Sequence, residues 1–135
     1  MFDDEVFHVV RRLLQEHTAR WQVELPGLTK PQYAVLRAVQ AQPGLEQSAL
    51  ATAAISTKAT LAEMLQRLEH RGLIERRGDP GDGRRRCVHL TAEGSRVLQD
   101  AEPLARRVDA SFTGRLSAAE HRTLVELLGR MSTGG

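Results

Sequence analysis

Cysteine is nearly absent from this sequence, long apolar runs are missing altogether, and neither sign of charge dominates. Each lack excludes something. The one cysteine, Cys87, cannot form an internal disulfide or a four-cysteine metal site, so neither an oxidising compartment nor a zinc fold is indicated. The five histidines, at positions 8, 17, 70, 89 and 121, include no HxxxH pair and no HExxH, which leaves metal ligation without support. No apolar stretch approaches the roughly 18 residues needed to span a bilayer, and the N-terminus, MFDDEVFHVV, is acidic where a secretory signal is positive. A cytoplasmic protein with no membrane contact is expected. No nucleophile motif, phosphate-binding loop or paired-carboxylate arrangement occurs, and Asp3, Asp4 and Glu5 are accounted for as favourable charge at a helix start. The expectation is a protein that is not an enzyme and needs no cofactor.

What is present suits one globular domain: 135 residues, 41% hydrophobic and 27% charged. The net charge of +2 hides an uneven distribution. Residues 1–55 carry five Lys/Arg against six Asp/Glu, residues 56–90 eight against five, and residues 91–135 six against six. The whole positive excess lies in the middle third, as a local contact with a polyanion requires.

Residues 4–24 place Val6, Val9, Val10, Leu13, Leu14, His17 and Trp21 at spacings of three and four, which predicts a helix with one broad apolar stripe. LPGLT breaks it, and Thr29 caps a second helix over 30–41 that turns Tyr33, Leu36 and Val39, with Val35 as a further candidate, inward. QPGLEQ reads as a turn with one or two extended residues. A short alanine-rich helix follows at about 46–53, then a longer one to about residue 71, capped by Ser56 or Thr57 and ended by Gly72. Leu61, Met64, Leu65 and Leu68 share one side of it. Two short β-compatible runs, at 75–77 and 87–91, flank the Pro/Gly-rich tip 79–83 with five arginines around it. Helix, turn, helix and basic hairpin in that order make a winged helix. A helix over 92–112 should be bent or split by Pro103, and a last one to about Met131 starts in a capping box of Ser117 and Glu120. The apolar stripes at both chain ends exceed what a compact winged-helix core buries, so the first and last helices are expected to form a homodimer. The fold class is thus mainly α with a small β-hairpin wing. A single domain over 1–135 comprises a DNA-binding lobe at about 30–91 and dimerisation helices at 1–25 and 92–135.

The second helix of such a unit enters the major groove with its N-terminal residues nearest the bases. Here those are Ser56, Thr57, Lys58 and Thr60, hydroxyls and an ammonium able to contact bases or phosphates; the alternative is plain capping and a solvated lysine. In the wing, Arg84, Arg85 and Arg86 alternate sides, and Arg84 is the candidate for a narrow minor groove, where the potential is most negative. Asp82 can clamp the loop by pairing with one of them. Double-stranded DNA is therefore the expected partner, with an acidic protein docking on the same hairpin as the competing reading.

The stretches LTKPQYAVLRAV, TLAEMLQRLEHRGLIERR and DPGDGRRRCVHLTAEG resemble the multiple-antibiotic-resistance regulator (MarR) family of bacterial transcription regulators, over about residues 5–132. The most specific is the D-P-x-D-x-R spacing followed by a short strand and L-T-x-x-G. On this resemblance Asp82 and Arg84 match the wing positions, and Thr57, Lys58 and Thr60 the reading face of the recognition helix. It implies a homodimer on a palindromic operator, usually a repressor, that releases DNA when a small phenolic or aromatic acid enters between the dimer helices and the DNA-binding lobe. RRLLQEHT is similar to the RRxxQxHT stretch of members that regulate aromatic-acid catabolism. Arg11, His17, Trp21 and Tyr33 are accordingly the candidate ligand residues, cation or imidazole for a carboxylate and rings for stacking, against ordinary dimer packing for His17 and Trp21. Some family members sense oxidants through a cysteine near the first helix. This chain departs from that pattern, and a redox role would fall to Cys87 beside Arg85 and Arg86.

Overall fold

Four helix starts in the chain are fixed by local side-chain chemistry. Thr29 Oγ1 accepts from Gln32 N at 3.2 Å while Thr29 N donates to Gln32 Oε1 at 3.0 Å, a complete capping box. Ser117 and Glu120 repeat it at 3.1 and 2.8 Å. Thr57 accepts from Thr60 N, and Thr91 from Gly94 N. Each cap contributes about 1 kcal/mol. The structure, a computed structural model, describes residues 2–79 and 81–133, and the side chains of residues 79, 82–85 and 133 lie outside what it describes.

The elements are α1 (Val6–Glu24), α2 (Lys30–Ala41), β1 (Leu45–Glu46), α3 (Gln47–Ala53), α4 (Lys58–His70), β2 (Ile74–Asp79), β3 (Asp82–Leu90), α5 (Ala92–Thr113) and α6 (Ala118–Thr133). This is a winged helix-turn-helix with long helices at both ends. The core is made of Val35, Leu36, Val39, Leu50, Leu61, Leu65, Leu68, Ile74, Val88, Leu98 and Val108, all fully buried. Val35 is thus an inward residue of α2.

Two features differ from the sequence expectation, and a third narrows it to one of the two outcomes expected at Pro103. The wing strands are longer than 75–77 and 87–91, because the antiparallel ladder from Ile74↔Leu90 continues to Gly78↔Arg86 and closes at Asp79↔Asp82 after a register shift. Residues 79, 82 and 83 of the expected tip consequently belong to the strands, as does residue 84. Leu45 and Glu46 pair with Val88 and Cys87, so the hairpin is part of a three-stranded sheet in the order β1-β3-β2. Pro103 does not split α5, which runs unbroken from Ala92 to Thr113. Pro103 and Gln99, whose carbonyl loses its partner, both face solvent, while Leu98, Ala101, Ala105 and Val108 hold the opposite side in the core.

The wing returns to the helices through a close approach. Thr91 Oγ1 donates to Gly72 O at 2.6 Å and Thr91 N to Leu73 O at 3.1 Å. A Cβ on Gly94 would sit 1.9 Å from Leu73 O, so only glycine fits there. That gives the L-T-x-x-G spacing its physical content. Gly72, at φ +77°, ends α4 with bonds from its own N to Glu69 O and from Leu73 N to Leu68 O, a Schellman closure. Among the described residues no helix is long and apolar enough to cross a membrane.

Candidate DNA interface and ligand cluster

The last turn of α4 and the first strand of the wing stand next to each other, and an ion pair ties them. Arg76 on β2 reaches Glu69 near the end of α4, with Nη2 to Oε1 at 2.9 Å and Nε to Oε2 at 3.4 Å, and its backbone N also donates to Oε2. Hydrogen bonding from Arg76, reinforced by its charge and that of Arg86, holds the Glu69 carboxyl below its usual range. Arg77 pairs with Glu75 on the same strand.

At the other end of α4, Thr57 is the cap. Its hydroxyl accepts from Thr60 N at 3.2 Å and donates to Thr60 Oγ1 at 2.9 Å, which leaves the Thr60 hydroxyl proton available outward. Ser56 is half-buried and donates to Thr57 O at 3.2 Å. Lys58 and Thr60 are exposed. Arg86 is exposed on β3; the side chains of Asp82, Arg84 and Arg85 lie outside the described residues. Cys87 is half-buried, opposite Arg77 on β2 and Glu46 on β1.

A second cluster lies where α1 and α2 pack against α5. His17 is held from both ring nitrogens: Nε2 is 2.7 Å from Asp109 Oδ1 and Nδ1 is 3.1 Å from Lys30 Nζ. An ammonium only donates, so Nδ1 accepts and the proton sits on Nε2, donated to Asp109. The imidazole lies between Phe112, at 5.6 Å, and Trp21, at 6.1 Å. Trp21 is 4% exposed, donates Nε1 to Leu28 O at 2.7 Å, and meets Tyr33 edge-on at 5.2 Å. Arg37 sits 5.7 Å over the Tyr33 ring. Burial raises the Tyr33 hydroxyl above its usual range; Arg37 and Arg106 oppose that, and Glu102 and Asp109 add to it. Burial also lowers the Lys30 ammonium, with Asp109 opposing.

Of the four ligand candidates, the structure brings His17, Trp21 and Tyr33 together and leaves Arg11 apart. Arg11 is six positions from His17, about 120° around the helix, and lines a separate groove on α1 with Phe7, Val10, Leu14, Gln15 and Thr18. Lys30, Asp109 and Phe112 join the cluster without having been singled out in the sequence. A signal existed for the last two, since Ala105, Asp109 and Phe112 continue a three-and-four spacing along α5.

The cluster brings together aromatic rings, one ammonium and a phenol. Among the described residues no group of three or more His, Cys, Asp or Glu could hold a metal ion. The α2 end of the cluster reaches the reading head directly. Lys30, Pro31 and Ala34 form one wall of a groove of about 520 Å³ whose other residues are Ala54, Ile55, Ser56, Thr57, Thr60 and Met64.

Comparison with known proteins agrees with this architecture. The profile of the MarR family matches residues 28–85. The transcriptional regulator HosA of Escherichia coli O111:H- is 57% identical over 128 residues, 95% of either chain. The structure of the PcaV transcriptional regulator from Streptomyces coelicolor with its natural ligand superposes with a TM-score of 0.93 at 35% identity, covering 98% of this chain and 94% of that one. BpsR of Bordetella bronchiseptica, whose DNA binding is regulated by 6-hydroxynicotinic acid, superposes with a TM-score of 0.93 at 32% identity over 98% and 96% of the two chains.

Proposed function

Because this chain belongs to the MarR family of DNA-binding transcription regulators, we propose that it is a homodimeric repressor released from a palindromic operator by a small aromatic acid. The observation that carries the reading is Lys30, bonded to His17 on one side and lining the groove beside Thr57 and Thr60 on the other. A ligand carboxylate competes with His17 for the ammonium, and the rings of Trp21, Tyr33 and Phe112 take the ligand's apolar faces. Drawing Lys30 toward the ligand moves the first turn of α2, which borders the recognition-helix N-terminus. The ligand thereby favours a spacing of the two recognition helices that no longer matches successive major grooves. The regulation of BpsR by 6-hydroxynicotinic acid supports an aromatic acid as the class.

In the DNA-bound form Ser56, Thr57, Lys58 and Thr60 face the major groove, Arg84 enters the flanking minor groove, and Arg85 and Arg86 hold phosphates, with Asp82 clamping the wing. Residues of about 30–91 are the DNA-binding lobe, and 1–25 and 92–135 the dimerisation helices. Thermal unfolding with hydroxybenzoates and 6-hydroxynicotinic acid tests the ligand. At least one should raise Tm by several degrees and dissociate a bound duplex in gel shift, and Lys30→Met should abolish both effects while duplex affinity is retained. No Tm rise with any of them, or an undiminished response in Lys30→Met, would reject the site. Replacing Arg84 by Ala should weaken duplex binding without unfolding the chain.

A further inference from the structure

The turn between α3 and α4 repeats the backbone closure that ends α4, with one difference. Ile55 N donates to Thr52 O at 3.2 Å and Ser56 N to Ala51 O at 2.9 Å, the same pair of bonds that Gly72 N and Leu73 N make at the end of α4. The residue at the left-handed position is Gly72 in one case, at φ +77°, and Ile55 in the other, at φ +54°. Ile55 is the one non-glycine residue with positive φ among the described residues. A β-branched side chain is disfavoured there, and glycine or asparagine would hold the turn with less strain. Packing within the chain does not compensate, since Ile55 is 93% exposed, more than any other exposed large hydrophobic residue described.

The side chain stands two positions before the cap of the recognition helix, against the same groove as Thr57 and Thr60. An aliphatic group gains nothing from phosphate. The apolar feature of a major groove is the 5-methyl of thymine. We propose that Ile55 reads a thymine methyl, one in each half-site, and so adds a hydrophobic specificity contact to the polar ones of Thr57, Lys58 and Thr60. This rests on the reading that the first turn of α4 faces the base edges.

The test uses duplexes enriched from a random library by the full-length wild-type protein, with thymines replaced in turn by deoxyuridine, which lacks only the methyl. In wild type, one replacement per half-site should weaken binding about fourfold, and its symmetric pair together about fifteenfold, the value of burying one methyl-sized group at each. Ile55→Ala should bind more weakly and be indifferent to that replacement, and Ile55→Val should keep most of the methyl dependence. Ile55→Gly should raise Tm by about 3–5 °C while losing affinity, a pairing that a merely structural role would not produce. Affinities within twofold at every replaced thymine, or an Ile55→Ala variant that keeps the wild-type loss, would overturn the inference alone. Failure of the wild-type protein to enrich any sequence would overturn it together with the reading of α4.

Discussion

The lobe from α2 to β3 and the helices at the chain ends treat their apolar residues in opposite ways. In the lobe, Val35, Leu36, Val39, Leu50, Leu61, Leu65, Leu68, Ile74 and Val88 are all inside. At the ends, α1 buries only Trp21, while Val6, Phe7, Leu13 and Leu14 are exposed, and α6 exposes Leu124, Val125, Leu127, Leu128 and Met131. Phe7, at 72% exposure, is a side chain that water alone does not favour. Apart from Ile55, the lobe buries its large apolar side chains within one chain. The ends carry the exposed apolar side chains that the proposed homodimer would cover.

The largest expected effect separates the two regions. The double variant Leu124→Asp, Leu128→Asp puts charges into the proposed interface and should raise the dimer Kd roughly a thousandfold, about 4 kcal/mol. Light scattering should then give the mass of one 15.0 kDa chain, with the helical circular dichroism of the lobe retained. A dimer that survives would move the interface elsewhere. Gly94→Ala attacks the lobe instead: with Leu73 O only 1.9 Å from the added Cβ, α5 must back away from the wing root. Urea unfolding should show a loss of about 3 kcal/mol, and a loss below about 1 kcal/mol would mean that the approach is softer than the geometry implies.

Trp21 joins the two regions, and Trp21→Phe tests the joint. The ring is largely replaced, but Leu28 O loses its donor, which should cost about 1–2 kcal/mol and loosen α1 against α2. Tryptophan fluorescence vanishes with the substitution, so the change is read by circular dichroism, and an unaltered unfolding midpoint would show that α1 is held by its other contacts.

What the sequence makes legible divides along a physical line. The caps Thr29, Thr57, Thr91 and Ser117 and the stop at Gly72 depend on neighbours three to five positions away, and all are readable locally. The wing's true length is not, because it is set by how far a ladder between distant strands continues. His17 and Trp21 stand out as ring-bearing residues on an apolar stripe. The partner of His17, Asp109, lies 92 positions away, on a helix whose docking no local pattern specifies. Lys30 was hidden differently, as one lysine in a helix start whose stem packs and whose ammonium turns back to α1. Ile55 escaped notice because an isoleucine in sequence carries no mark of a left-handed backbone.

The smallest effect concerns the tie between recognition helix and wing. Glu69 has a carboxyl held below its ordinary value of 4.5, chiefly by the hydrogen bond from Arg76. A carboxyl lowered in the folded state stabilises fully above its unfolded value and loses that contribution as pH falls through the folded one. Glu69 is 40% exposed, so water and salt screen the pair, and its worth is about 0.5 kcal/mol at neutral pH. Glu69→Gln should therefore be less stable than wild type by that amount near pH 7, with the gap closing as pH falls below the ordinary carboxyl range and narrowing in high salt. A gap that stays constant across this range would assign the cost to lost packing. Because Arg76 lies on the first strand of the wing, the same variant should weaken duplex binding about twofold more than its stability change requires, as the wing gains freedom relative to α4.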